Sequence, residues 1–218
     1  MVLNLCKNFS EWKFDELKDY ATSLERYLNN EVKALEERHE KQTSTMTPEQ
    51  KEAFYEFASD QYFKLTETFP QTLRISLFVH AYSLFEHSLN EVASTMGSLR
   101  GIRILPKHLK DDGITRSKTF LKDVVLIGFP DTDPTWTEIT ALNKIRNYFV
   151  HREGYLPEGK DEQVEKYVAS SNGALKLDES HGTKRIAIVS QAFNQNVLKT
   201  FETFNGILFK TLLADAKD

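Results

Sequence analysis

Apolar residues recur along the first third of the chain at three- and four-residue steps. Leu17, Ala21, Leu24, Leu28, Val32 and Leu35 form one stripe with charged residues between them, the pattern of an amphipathic helix. The stretch QTSTMTPEQ breaks it. Thr47 before Pro48, with Gln50 three residues after Thr47, predicts an N-cap, a first-position proline and a capping box. A second stripe follows in Phe54, Phe57, Ala58, Tyr62, Leu65 and Phe69, and Pro70 is expected to end or kink that helix. The two helices should pair antiparallel as an arm over residues 11–69.

Residues 72–96 are apolar nearly all the way round, which predicts a central helix packed on several sides, with Gly97 as its C-terminal stop. GIRILPKHLKDDGI reads as a loop, and RSKTFLKDVVLIG as a shorter helix. Pro130 and Pro134 bracket a turn with Asp133 as N-cap. A helix over 135–151 then carries Trp136, Ile139, Leu142, Ile145 and Phe149 on its apolar side. EGYLPEGK is a loop, and DEQVEKYVASS suits a short helix. Leu175/Leu177 and Ile186/Ile188 alternate around a polar turn, the pattern of a β-hairpin. The tail aligns Phe193, Val197, Phe201, Phe204, Leu208 and Leu212 on a last helix. The expected fold class is all-α with a small hairpin insertion, one domain over 1–218 with its core at 71–215.

Composition narrows this picture. Gly and Pro number nine and six, too few for a loop-rich or all-β fold, while fifteen Phe supply bulky packing units. A single cysteine, Cys6, excludes an intrachain disulfide and suits a reducing compartment. No apolar run approaches the roughly 20 residues of a membrane span, and MVLNLCKNFSEWKF does not read as a signal peptide. A cytoplasmic protein with no membrane partner is expected. The net charge of −4 is unevenly spread. Residues 11–67 hold fourteen acidic and eight basic side chains, whereas residues 100–122 hold seven basic and two acidic ones. Two faces with different partners are expected.

Most catalytic signatures are absent: no P-loop, GxGxxG, HExxH or GxSxG occurs. His87 and Glu91 stand four apart and could share a metal with His80, but histidines on so apolar a helix are better read as rim or core groups. No metal and no cofactor is expected. His39, in EERHEKQ, reads as the solvated end of a charged helix. Glu86, between Phe85 and His87, either reaches water through a packing gap or meets Arg146 or Asn147 from the neighbouring helix.

The segment KIRNYFVHREGY, residues 144–155, concentrates the candidate chemistry. On a helix Asn147 and His151 face the same way, with Arg146 about 100° round from Asn147. Guanidinium, carboxamide and imidazole can meet one small anion there. Cleavage of an RNA phosphodiester needs a base, an acid and a cation, and histidine and arginine can fill those roles without a metal. One copy of the segment supplies one imidazole; two copies across a two-fold axis supply two. The same residues at a helix end also make ordinary C-capping contacts.

Arg146-Asn147-Tyr148-Phe149-Val150-His151 resembles the Arg-x(4–6)-His motif of the HEPN superfamily. The looser likeness covers residues 71–215: an apolar helix before the motif, a hairpin and closing helix after it. The long first helices are an addition to the minimal fold. The resemblance implies a HEPN-like helical bundle and a homodimer with the two motifs in a shared cleft. It implies a metal-independent endoribonuclease cutting single-stranded RNA, of toxin or antiviral-defence type, with an antitoxin or defence-system protein as a further partner. Arg146 would clamp phosphate, His151 act as general acid/base, Asn147 orient, and Glu86 support. Non-catalytic members imply the alternative of a dimeric adaptor binding RNA, nucleotide or protein. One toxin branch carries a modified tyrosine two residues after the histidine; Glu153 stands there in this chain, so that chemistry is not carried over. Arg100, Arg103, Lys107, Lys110, Arg116, Lys118 and Lys122, with Lys144 and Arg152 beside the motif, are the expected RNA-binding residues.

Overall fold

The computed structural model describes residues 2–157, 161–180 and 182–215. The chain is mostly helical, with one two-stranded antiparallel sheet. Helix α1 (Val2–Thr43) starts well before the expected arm. Its first half is core: Leu3, Phe14 and Leu17 belong to the same buried cluster as residues out to Leu212. Its second half pairs with α2 (Pro48–Phe63).

The capping box forms as the sequence predicts, with Gln50 Oε1 accepting from the Thr47 N–H at 3.0 Å. The expected apolar stripe of α2 is only loosely covered. No residue of α2 is fully buried, and Phe57 is 88% exposed. One arm residue goes the other way. His39 is buried rather than solvated, edge-on to Phe54 at 5.1 Å and Tyr55 at 6.2 Å.

Pro70 does not end the helical run. Residues Lys64–Thr68 widen into a π-helical turn, in which the Phe69 N–H reaches the Lys64 carbonyl, and α3 (Phe69–Leu99) begins there. The proline has no N–H to give and its ring would crowd the preceding turn, so the widened ring of hydrogen bonds accommodates it. Helix α3 packs against α1, α5, α7 and α4 (Gly113–Thr119), burying Phe78, Tyr82, Phe85 and Leu89. Each such side chain contributes about 1.5–3 kcal/mol on leaving water.

Gly97 is not the stop. It lies inside α3, where an added Cβ would stand 2.9 Å from Phe120 Cζ, so its smallness admits that ring. The helix ends at Leu99, and Gly101, two residues on, supplies the left-handed residue at φ +68°, with Ile102 N–H donating to Gly97 O at 2.9 Å.

A π-helical turn, Phe120–Val124, follows α4 and buries Phe120 and Leu121. Asp133 caps α5 (Pro134–Arg152) through Thr135 N–H at 2.9 Å, and Trp136, Ile139, Leu142, Ile145 and Phe149 all turn inward. Part of the expected loop, residues 158–160, lies outside the described residues, as does residue 181 in the expected hairpin turn. Helix α6 (Glu162–Ser170) leads to β1 (Leu175–Ser180) and β2 (Thr183–Ile188), paired with Leu177 opposite Ile186. The tail forms α7 (Ala192–Asp215), whose Phe201 stacks on Phe85 at 4.4 Å and whose Phe204 meets Trp136.

A buried ion pair ties these parts together. Arg74 of α3 forks onto Glu25 of α1 at 2.7 and 2.9 Å and donates to Val189 O at 2.6 Å, just past the hairpin. Among the described residues no helix is long and apolar enough to cross a membrane.

Candidate functional site

The last turns of α5 are set by Ile145 and Phe149, which the core holds. That anchoring rotates Arg146 and Asn147 to a half-buried position and leaves His151 and Arg152 exposed at the helix end. Arg146 Nη1 donates to Asn147 Oδ1 at 2.9 Å. Its Cζ lies 5.6 Å from the centre of the Tyr82 ring on α3, and its Nε is buried without a hydrogen-bond partner.

Arg146 opens onto a cavity of about 280 Å³. Helix α3 lines it with Ser83, Glu86, His87 and Asn90, the following loop with Lys107, and α4 with Gly113 and Arg116. Three cations therefore face one carboxylate across a small polar hollow. Glu86 of α3 and Arg146 of α5 both line the cavity, with no hydrogen bond or ion pair between them. Gly113 starts α4 beside Glu86 at φ +56°, a left-handed conformation that glycine adopts without strain. Below the cavity Tyr82 is fully buried, and its hydroxyl has no partner. Burial pushes that hydroxyl well up, the Glu86 charge adds to the effect, and Arg146 opposes it.

The basic residues of 100–122 divide into two groups. Arg100 pairs with Asp215. Lys118 and Lys122 share Asp131 at 3.0 and 2.7 Å, and their hydrogen bonds hold its carboxyl down at about 2. Arg116 is held from behind by Asp112 at 2.6 Å and by Asp111 O. Arg103, Lys107 and Lys110 are exposed and make no ion pair among the described residues. Only Lys107 and Arg116 of the seven line the Arg146 cavity. Lys144 pairs with Asp161 at 3.2 Å, beside the Tyr148 hydroxyl, which donates to Asp161 at 2.6 Å. Burial and that carboxylate push Tyr148 up to about 12.

His151 is not among the residues that line the cavity. The motif is split: its arginine turns toward α3, while its histidine stands one turn beyond Asn147 at the solvated end of α5. The imidazole on the cavity wall is His87, whose Nε2 lies 3.2 Å from Glu91 Oε1. No group of three or more potential metal ligands occurs among the described residues. The signal for this wall was present in the sequence, since Ser83, His87 and Asn90 form a polar row at helical spacing on an otherwise apolar helix.

Two larger hollows lie elsewhere. A groove of about 920 Å³ between α1 and α3 is lined by Trp12, Tyr20, Leu73 and Leu84, and one of about 700 Å³ on the arm by Tyr55, Tyr62 and Phe63. Both are mainly apolar and lack converging cations, so neither offers the chemistry of the smaller site. No protein-family model matches the chain, and neither a curated protein nor a solved structure does.

Proposed function

We propose that the protein is a metal-independent endoribonuclease of the HEPN type that cuts single-stranded RNA. The observation that carries this reading is the convergence of Arg146, Lys107 and Arg116 on one cavity, with a buried Arg146 Nε left unpaired. A guanidinium beside two further cations is suited to a phosphate, which it can meet with a fixed fork of donors. In the reaction the 2′-oxygen attacks phosphorus, the P–O5′ bond breaks, and the products are a 2′,3′-cyclic phosphate and a 5′-hydroxyl. Arg146 stabilises the charge that grows on the phosphoryl oxygens, and Asn147 fixes its direction. His151 is the proton-transfer group of the motif. The biological setting is a toxin or antiviral-defence system in the cytoplasm, with the protein acting as a homodimer beside an antitoxin or defence partner.

The exposure of His151 away from the cavity favours a second reading, a non-catalytic dimeric adaptor that binds RNA, nucleotide or a protein through the same cations. Incubation of labelled single-stranded RNA with the protein in EDTA separates the two. Cleavage that falls at least a hundredfold in His151→Ala supports the ribonuclease. Binding without cleavage by the wild type supports the adaptor.

A further inference from the structure

Transfer of an RNA phosphoryl group needs two proton-transfer groups, one at the 2′-oxygen and one at the leaving 5′-oxygen. The Arg146 segment supplies only His151. The cavity into which Arg146 opens is lined by a different imidazole, His87, on the α3 wall beside Glu86. Glu91, one turn further along α3, places its carboxylate 3.2 Å from His87 Nε2, and Nδ1 has no hydrogen-bond partner among the described residues. A carboxylate beside one ring nitrogen orients an imidazole and leaves the other nitrogen free to work. Arg146, Arg116 and Lys107 line the same cavity, so an anion held by those cations lies in the hollow that His87 borders.

We propose that His87 is the second proton-transfer residue, contributed by the same chain that contributes Arg146. This inference rests on the ribonuclease reading above. As an imidazolium, His87 donates its Nδ1 proton to the 5′-oxygen as the P–O5′ bond breaks. It ends neutral, and the 2′-hydroxyl proton has passed to the neutral imidazole of His151, the base in the ribonuclease reading. Because His87 comes from the Arg146 chain, the second imidazole does not have to be supplied by the Arg146–His151 segment of another copy. Glu91 is a positioning residue in this scheme: it touches the ring and not the RNA.

The full chain tests this in two ways. In the first, the imidazole NMR signals are followed at fixed pH during titration with inorganic phosphate. His87 resonances should move in the wild type and stay still in Arg146→Ala. In the second, RNA cleavage in EDTA is compared for the wild type and His87→Ala. Because the His87 side chain is 57% exposed, this change leaves folding intact. The rate should fall by about a hundredfold or more, and in Glu91→Gln kcat should fall while RNA affinity is unchanged. Unmoved His87 signals, or His87→Ala cutting at the wild-type rate, overturn the proposal. A protein that cuts no RNA but whose His87 responds to phosphate overturns the ribonuclease reading and the proton-transfer role together, leaving an anion site that includes His87.

Discussion

The Arg146 guanidinium lies 5.6 Å over the ring of Tyr82, a tyrosine with no accessible surface and no partner for its hydroxyl. The ring face is what the guanidinium uses; the hydroxyl contributes nothing that the structure shows. Tyr82→Phe should therefore keep RNA affinity and raise stability by up to about 1 kcal/mol, since it removes an unsatisfied buried group. Tyr82→Leu removes the ring and should weaken RNA binding about fivefold, from a cation–π contact worth about 1 kcal/mol. Urea melts and an RNA titration of both variants check this. A Tyr82→Phe protein less stable than wild type by more than 1 kcal/mol would show that the hydroxyl has a partner after all.

The cations of residues 100–122 should not behave alike. Lys122 is occupied by Asp131, whereas Lys107 makes no ion pair among the described residues and lines the cavity. Lys107→Glu should weaken single-stranded RNA binding and flatten its dependence on salt by about one phosphate contact. Lys122→Glu should leave both nearly unchanged. Binding isotherms of a His151→Ala background at several salt concentrations make the comparison, and equal effects of the two reversals would remove the cavity from the RNA path.

Stability should depend heavily on a pair far from the site. Glu25 is buried and its charge is answered by the Arg74 fork. Arg74→Ala strands that carboxylate and should cost about 3–5 kcal/mol, while replacing both by methionine should cost much less. Chemical denaturation of the two variants measures the difference, and similar losses in both would contradict the assignment.

Much of the fold is legible along the chain, because local chemistry decides it. Thr47 and Gln50, and likewise Asp133, cap helices through neighbours two or three residues away. The inward row from Trp136 to Phe149 follows from helical period alone. Gly97 and Gly101 could not be told apart in that way: Gly97 is required by Phe120, which arrives from another helix, and Gly101 by its own backbone. His39 looked solvated because the two rings that cover it come from α2. The Arg74–Glu25 pair spans 49 residues and the Arg100–Asp215 pair 115, distances at which sequence pattern carries no register. At the site, the arginine and its carboxamide neighbour were readable; the cavity that Arg146 opens onto, with its His87 wall, exists only once α3, α4 and α5 have packed.

Acid should reach the Asp131 cluster late. Lys122 and Lys118 hold its carboxyl at about 2, below its ordinary value of 3.8. A lowered carboxylate stabilises the fold above its unfolded value, and that contribution is lost as pH falls from about 4 through about 2. Asp131→Asn should therefore be less stable than wild type at pH 7, and the difference should close across that window. Thermal melts from pH 7 to pH 2 report it, and a gap that stays constant through the window would count against the pairing.

The central claim is that Arg146 holds the reacting phosphate of an RNA substrate. It is tested most directly by following cleavage of a labelled single-stranded RNA in EDTA, under single-turnover conditions, with identification of the product ends. The account predicts 2′,3′-cyclic phosphate and 5′-hydroxyl ends from the wild type, and a rate at least about a hundredfold lower in folded Arg146→Ala. Wild-type protein that leaves every RNA intact, or Arg146→Ala cutting as fast as wild type, would contradict it.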